Sequence, residues 1–194
     1  MTVNHFTAED TALLLIDYQV GTIGWVRSTD QEDLKVRAIA LAKAAKALGM
    51  PVVLTSSQED QVQGPIIPAL VELFPDEFAD RIQRVGVVNA MDDPNFAVAV
   101  EKIGRKNILI AGITNDVCTV FPTLTLLDQG YRVAVVADAG GSITKAGDDV
   151  AVGRMERAGA DITSTNQVLA ELAVNWNSPT GQAVLPSILD LLSR

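Results

Sequence analysis

The chain alternates short apolar runs with longer amphipathic segments, and this alternation restricts its fold more than any other feature of the sequence. A short apolar run bounded by turn residues is typical of a strand that is buried on both faces of a parallel sheet. Amphipathic segments between such runs predict helices that cross over the sheet, so the sequence predicts βαβ units. The candidate strands are residues 12–16, 52–55, 108–111 and 133–137, with two weaker ones at 85–88 and 161–163.

The segments between these runs carry helix signals. Thr29 and Glu32 match a capping box at the start of the first long helix, and Gly49 followed by Pro51 predicts its end. Pro122 either kinks a later helix or belongs to its early turns. Further helices are predicted at residues 94–103, 116–129, 148–157 and 167–174.

Composition limits the organisation and the partners of the chain. A length of 194 residues with 48% hydrophobic residues suits one core, and no repeat or linker divides the sequence, which predicts one domain over residues 1–194. The segment from about 175 to 194 is expected to form a C-terminal arm. A formal net charge of −9 argues against nucleic acid and anionic membranes as partners. The mean hydropathy of +0.23 is high and suggests that surface is buried between subunits.

The beginning of the sequence and its cysteine content point to a reducing compartment. One cysteine cannot form an internal disulfide, and the first residues lack the basic and apolar regions of a signal peptide. No apolar stretch approaches the length of about 20 residues that crosses a bilayer. We therefore expect a cytoplasmic protein.

Two reactive side chains follow strand candidates. Asp17 ends the run Leu-Leu-Leu-Ile-Asp, and Cys118 follows the run at 108–111 at the start of a predicted helix. Because ligands bind at the carboxyl ends of parallel strands, these two groups are expected to meet at one edge of the sheet. A helix start lowers the pKa of a thiol and favours the thiolate, which makes Cys118 a candidate nucleophile. The alternatives are a buried, inert cysteine and an aspartate that caps a loop.

The scarcity of histidine limits the chemistry. His5 is the only histidine and precedes the first strand, which argues against a Ser-His-Asp or Cys-His relay and against a histidine zinc site. Asp17 is then the best available base for the thiol of Cys118. We expect no metal and no other cofactor.

Several blocks of the sequence resemble the isochorismatase-like cysteine hydrolases, which include nicotinamidases and N-carbamoylsarcosine amidohydrolases, and within that family the YcaC-like branch. The blocks are Leu-Ile-Asp-Tyr-Gln in the first strand, Arg84 with the segment 89–94, the run Ala-Gly-Ile-Thr-Asn-Asp-Val-Cys at 111–118, Phe-Pro at 121–122 and Val-Ala-Asp-Ala at 136–139. The similarity covers essentially the whole chain. It implies an α/β fold with a single doubly wound, mainly parallel sheet of about six strands flanked by helices.

The resemblance also implies a catalytic triad of aspartate, lysine and cysteine. Asp17 and Cys118 match the first and third members, whereas Arg84 stands at the position of the lysine. Arginine does not release its proton, so its role here is electrostatic. Arg81 is a weaker candidate for the same place. A cis peptide bond is expected between Ile113 and Thr114, so that the backbone N–H groups of Thr114 and Cys118 face one oxyanion.

The activity that follows from the resemblance is hydrolysis of a small amide or related C–N bond through a thioester on Cys118. Gln19, Trp25, Asn115 and Phe121 are the expected pocket walls. The segment at 56–61, where nicotinamidases bind a metal, contains no histidine, which argues against a metal and against nicotinamide as the substrate. The family suggests a homo-oligomer, either a tetramer or an octamer.

Two other hypotheses remain open at this stage. An isochorismatase-type hydrolysis of a vinyl ether would use Asp17 as the acid and would need no cysteine. Alternatively, the chain has kept the fold but lost the ancestral hydrolase activity, and it serves in assembly or in a redox response.

Overall fold

The computed structural model describes residues 5–193, and its centre is one six-stranded sheet in which every strand pair is parallel. The strands are β1 (Thr11–Ile16), β2 (Val52–Ser57), β3 (Ile82–Arg84), β4 (Asn107–Gly112), β5 (Arg132–Val136) and β6 (Asp161–Thr163). Their order is β3-β2-β1-β4-β5-β6, so the chain winds outward in both directions from β1 and β4. The predicted fold class, a doubly wound parallel sheet flanked by helices, is confirmed.

Helices cover both faces of the sheet. They are α1 (Val20–Trp25), α2 (Gln31–Ala47), α3 (Pro68–Leu73), α4 (Pro75–Ala79), α5 (Pro94–Ile103), α6 (Val120–Asp128), α7 (Lys145–Arg157), α8 (Thr165–Ala173) and α9 (Pro179–Leu192). Within residues 5–193, none of them combines the length and the apolar character that crossing a membrane requires.

The side chains of β1 divide between two hydrophobic cores. Leu13 and Leu15 face the core formed with α2, α3 and α8, whereas Leu14 and Ile16 face the core formed with α5, α6 and α7. Every residue of β1 is buried, as expected for the central strand of a sheet that is covered on both faces. This packing fixes the carboxyl end of β1, where Asp17 follows.

The third strand and the first helix cap differ from the predictions. The strand predicted at 85–88 lies instead at Ile82–Arg84, because the chain turns at Gly86, which has a φ of 109°. The apolar residues after this turn form a surface loop. The cap of α2 is Asp30, not Thr29: its carboxylate accepts the backbone N–H groups of Glu32 and Asp33.

The remaining helix boundaries agree with the sequence to within a few residues, except at the cysteine. Residues Asn115–Thr119 form a π-helical turn, and α6 begins only at Val120. Pro122 lies in the first turn of α6, where its missing N–H removes no helix bond. The C-terminal arm contains α9, which packs on α2 and α8 of the same chain.

Candidate active site

Asp17 and Cys118 lie at the carboxyl ends of β1 and β4, the two neighbouring strands at which the winding direction reverses. Asp17 is fully buried and has a φ of 56°, in the left-handed region. Its N–H donates to the carbonyl of Thr55 (2.9 Å), and its carbonyl accepts the hydroxyl of Thr22 (2.6 Å). These two bonds from neighbouring elements hold a strained backbone conformation at the residue that carries the carboxylate.

Arg84 approaches the same point from β3, the strand at the edge of the sheet. Its side chain is 1% exposed, and Nη2 donates to both carboxylate oxygens of Asp17. Nε donates to the hydroxyl of Thr55 (3.1 Å), and Nη1 donates to the carbonyl of Val87 (2.6 Å). Three different groups therefore fix the guanidinium, so that its positive charge is held in one place beside Asp17.

Cys118 is carried by the π-helical turn. The carbonyl of Thr114 accepts the N–H groups of Val117 (3.3 Å) and Thr119 (3.0 Å), on either side of the cysteine. The peptide bond between Ile113 and Thr114 is cis, at the position where the sequence resemblance places one. The N–H of Thr114 interacts with the thiol of Cys118, so both backbone and sulfur face the same space.

The carboxylate of Asp17 and the thiol of Cys118 influence each other directly. Burial and the negative charge of Asp17 raise the pKa of the Cys118 thiol well above its usual range, against the opposing effects of the Thr114 N–H and Arg84. Burial also raises the pKa of Asp17, although the charge of Arg84 and the contact with Cys118 oppose it. The expected lowering of the thiol pKa at the helix start is therefore wrong. Burial and the charge of Asp17 favour the protonated thiol, which faces an acceptor for its proton.

A cavity of about 200 Å³ opens over these groups. Its floor contains Asp17, Arg84 and Cys118, and its walls are mainly apolar, with Trp25, Val87, Val88 and Val117 among them; Thr22, Ser57, Gln58, Gln63 and Gly86 complete the lining. Drug-sized ligands usually occupy pockets of roughly 300 Å³ or more, so the volume suits a smaller molecule. An open depression of about 670 Å³ adjoins the cavity and shares Gln58, Gln63 and Arg84 with it.

Of the four predicted pocket residues, only Trp25 lines the cavity. Gln19 is buried beside it: its amide donates to the carbonyls of Ser57 (2.9 Å) and Gly64 and accepts the N–H of Ser57 (2.8 Å). Gln19 therefore ties the end of β1 to the loop after β2.

Asn115 and Phe121 also lie outside the cavity lining. The Asn115 amide donates to the carbonyl of Ala137 (3.2 Å) and to the carboxylate of Asp148 (3.1 Å), which anchors the π-helical turn. Phe121 packs against the core formed with α5, α6 and α7. A position near a strand end or within a motif does not show whether a residue lines the cavity or supports it, because both kinds of residue occupy the same loops.

Arg81, the weaker candidate for the position of the lysine, belongs to a different cluster. Its guanidinium binds both carboxylate oxygens of Glu59 (2.7 and 2.9 Å) and lies over the ring of Phe78. Glu59 also accepts the hydroxyl of Ser56 (2.6 Å) and the amide of Gln83 (2.9 Å). The bonds from Arg81 hold the pKa of Glu59 down at about 2. Arg81 thus stabilises the loop after β2 and does not reach Asp17.

The sequence analysis missed Thr55 and the residues of two loops, 57–63 and 86–88. Thr55 contacts both Asp17 and Arg84, and it lies near the carboxyl end of β2. The rule that ligands bind at strand ends could have identified it.

In the described part of the chain, no cluster of three or more acidic, histidine or cysteine side chains could hold a metal ion.

Comparisons with known proteins identify the family and agree with the fold. The model of the isochorismatase domain matches residues 11–167. The probable hydrolase YcaC of Escherichia coli (strain K12) is 37% identical over 177 residues, which cover 91% of this chain and 84% of that protein. Isochorismatase domain-containing protein 2 of Xenopus laevis is 31% identical over 79% of this chain and 72% of its own length.

Two solved structures share both fold and sequence with the chain. YcaC from Pseudomonas aeruginosa, solved with hexane-2,5-diol and covalent acrylamide, superimposes with a TM-score of 0.89 at 36% identity, over 100% of this chain and 98% of that one. The YcaC gene product from Escherichia coli, described as an octameric hydrolase of unknown specificity, gives a TM-score of 0.90 at 33% identity, over 100% and 97% of the two chains.

Proposed function

The chain belongs to the isochorismatase family of hydrolases, and from this premise we propose that it is a cysteine hydrolase that cleaves a small, neutral amide or a related C–N bond. One observation carries the proposal: the thiol of Cys118 faces a buried carboxylate, Asp17, that is held by a buried Arg84 at the floor of a small cavity. These three side chains are the proposed catalytic residues.

The first step transfers the thiol proton to Asp17 as the sulfur attacks the substrate carbonyl. The raised pKa of Cys118 means that the thiolate forms only when attack consumes it, and the buried Asp17 is the acceptor in contact. The charge on sulfur passes to the carbonyl oxygen, where the N–H groups of Thr114 and Cys118 would bind the oxyanion. Arg84 keeps its proton throughout and stabilises the negative charge shared by Asp17 and the sulfur.

The second step breaks the C–N bond and regenerates the enzyme. Protonated Asp17 gives its proton to the leaving nitrogen, which departs as an amine or ammonia and leaves a thioester on Cys118. Asp17 then accepts a proton from the attacking water, the thioester collapses to a carboxylic acid, and the sulfur recovers a proton. No cofactor enters this sequence.

The charge balance of the cavity favours a neutral substrate. Arg84 is the one cationic side chain among the residues that line it, and its Nη2 already donates to both carboxylate oxygens of Asp17. A dicarboxylate such as isochorismate would have to enter an apolar space without an available cation, which is unfavourable. This argument favours amide hydrolysis over the vinyl ether reaction.

Two properties of the YcaC relatives support the proposal. The Pseudomonas aeruginosa protein carries covalent acrylamide, and acrylamide is a small neutral amide whose double bond reacts with thiols. We therefore propose that Cys118 is similarly reactive toward small amides that reach the cavity. The Escherichia coli protein is octameric, and we propose the same homo-oligomeric state, with a cytoplasmic location, for this chain.

The test is a screen of small neutral amides, carbamoyl compounds and nitriles, with released ammonia as the readout. The wild-type protein should turn over a subset of them, Cys118→Ala should be inactive, and Asp17→Asn should lose at least about a hundredfold in rate, as expected for a general base. Mass spectrometry of Cys118→Ser or of the wild type quenched in acid should detect an acyl adduct on residue 118.

The other hypotheses predict different outcomes. Activity that survives in Cys118→Ala but disappears in Asp17→Asn would show an aspartate mechanism and contradict the thioester. Absence of turnover together with a thiol that acrylamide does not modify would favour the role without catalysis.

A further inference from the structure

Gln58 and Gln63 form a pair of side-chain amides at the border between the cavity and the adjoining depression. Both residues line both spaces. Nε2 of Gln63 donates to Oε1 of Gln58 (2.7 Å), so one amide is bonded directly to the other. The mechanism proposed above uses neither of them.

The pair contains an acceptor that the protein itself does not use. Oε1 of Gln63 is closed to solvent and accepts no hydrogen bond from any residue in the range 5–193. Buried carbonyl oxygens nearly always accept a hydrogen bond, because an unpaired one is unfavourable. An N–H donor on a molecule in the cavity would satisfy this oxygen.

Oε1 of Gln63 lies within reach of such a molecule. The residue as a whole is partly exposed and lines the cavity, and the last torsion of a glutamine side chain is soft. A small rotation of the amide therefore brings Oε1 to the cavity. The cavity of about 200 Å³ is small enough that one molecule contacts both the wall at Gln63 and the floor at Cys118.

Backbone contacts hold the amide pair in place. The N–H of Gln58 donates to the carbonyl of Arg84 (2.9 Å), and the carbonyl of Gln63 accepts the N–H of Gly21 in α1 (2.8 Å). A Cβ atom at Gly86 would lie 3.1 Å from Nε2 of Gln58, so glycine at this position leaves room for the amide. The pair is thus tied to Arg84, one of the proposed catalytic residues.

We propose that Oε1 of Gln63 is a specificity-determining acceptor, which binds an N–H group of the amide that Cys118 attacks. The inference rests on the proposed function and narrows its substrate class to amides and ureas whose reacting nitrogen carries a hydrogen. Esters, nitriles and N,N-dialkyl amides have no such N–H and leave the oxygen unpaired. A site that is built to bind a polar group discriminates strongly against similar molecules that lack it.

Two thiol reagents of nearly equal size test the acceptor without any knowledge of the substrate. N-methylacrylamide and methyl acrylate differ at one position, where the first has an N–H group and the second has an oxygen. In both, the sulfur of Cys118 adds to the terminal carbon of the double bond, and the thiol proton goes to the carbon beside the carbonyl. The ratio of the two modification rates, compared between variants, reports recognition of the N–H group.

Gln63→Met removes the acceptor at nearly constant size. It should lower the rate for N-methylacrylamide relative to that for methyl acrylate by about tenfold, as expected for the loss of one hydrogen bond. Gln63→Glu keeps an acceptor oxygen and should retain most of the preference. Gln61→Met is the matched control, because Gln61 lies on the same loop and lines the depression but not the cavity. Circular dichroism checks that each variant is folded.

The outcomes separate this inference from the proposed function. An unchanged ratio in Gln63→Met overturns the inference, and so does an equal fall in Gln63→Glu or in the control. A ratio that depends on Gln63, without turnover of any amide in the screen, supports the acceptor and contradicts the proposed function. Turnover of amides with a ratio that does not depend on Gln63 has the opposite meaning.

Discussion

The guanidinium of Arg84 donates through one nitrogen to both carboxylate oxygens of Asp17, and both side chains are almost completely removed from water. This pair gives the site its charge balance. Each charge needs the other, because an unpaired ion in such surroundings is far less stable than in water. Catalysis by Cys118 would use the pair as a neutral unit that can accept a proton.

Breaking the Arg84–Asp17 pair should be costly. Arg84→Gln is expected to lower the free energy of unfolding by about 3–5 kcal/mol, because it leaves the carboxylate buried and unpaired. The double variant Asp17→Asn with Arg84→Gln should lose less than the sum of the single losses. Urea denaturation of the four proteins measures this coupling. Additive losses would mean that the two groups do not stabilise each other.

Arg84→Lys should separate charge from geometry. A lysine keeps the positive charge but cannot reach Asp17, Thr55 and the carbonyl of Val87 at once, as the guanidinium does. We expect a stability between those of the wild type and Arg84→Gln. The rate of hydrolysis of an amide identified in the screen should follow the same order, with Arg84→Lys between the wild type and Arg84→Gln.

The pH dependence of thiol modification should change when Asp17 is neutral. In the wild type the midpoint for modification of Cys118 should lie above the usual thiol range, because burial and the charge of Asp17 both disfavour the thiolate. Asp17→Asn removes that charge and should lower the midpoint, while it slows hydrolysis by at least about a hundredfold. Circular dichroism checks that the variant is folded. A midpoint that stays in place would contradict the contact between the two groups.

The contribution of the Glu59–Arg81 pair to the free energy of unfolding should depend on pH. The pKa of Glu59 is lowered from 4.5 to about 2 in the folded protein, so its contribution is complete above pH 4.5 and is lost as the pH falls toward 2. Glu59→Gln should therefore be less stable than the wild type near pH 7, by about 1 kcal/mol for a partly exposed pair. The difference should disappear in strong acid. Glu101→Gln, at an exposed position of α5, is the matched control for the change of charge.

Gln19 should matter for stability in spite of its place beside the site. Gln19→Leu removes the partners of the Ser57 N–H and of two carbonyls, so we expect a loss of about 2–3 kcal/mol in the free energy of unfolding. Gln61→Leu, at an exposed position of the following loop, is the control and should change little. Equal effects would mean that the buried bonds of Gln19 are dispensable.

The pattern of apolar runs was sufficient to predict the sheet and to identify two of the candidate catalytic residues. Asp17 and Cys118 follow buried strands, and parallel strands bring their carboxyl ends to one edge, so their meeting follows from local pattern and topology. The run at 85–88 was misleading, because it looks like a strand and is an exposed loop. Local pattern cannot tell an apolar residue in a core from one on a surface that the fold leaves open.

By itself, the sequence determined the fold class, the edge of the sheet that holds the candidate site and the identity of its thiol and carboxylate, because these depend on short-range periodicity. Only the tertiary structure decided which residues form the cavity wall and in which direction the thiol pKa moves. Both depend on distances between groups far apart in the chain, such as Asp17 and Arg84, and on how deeply packing buries them. A one-dimensional pattern records neither.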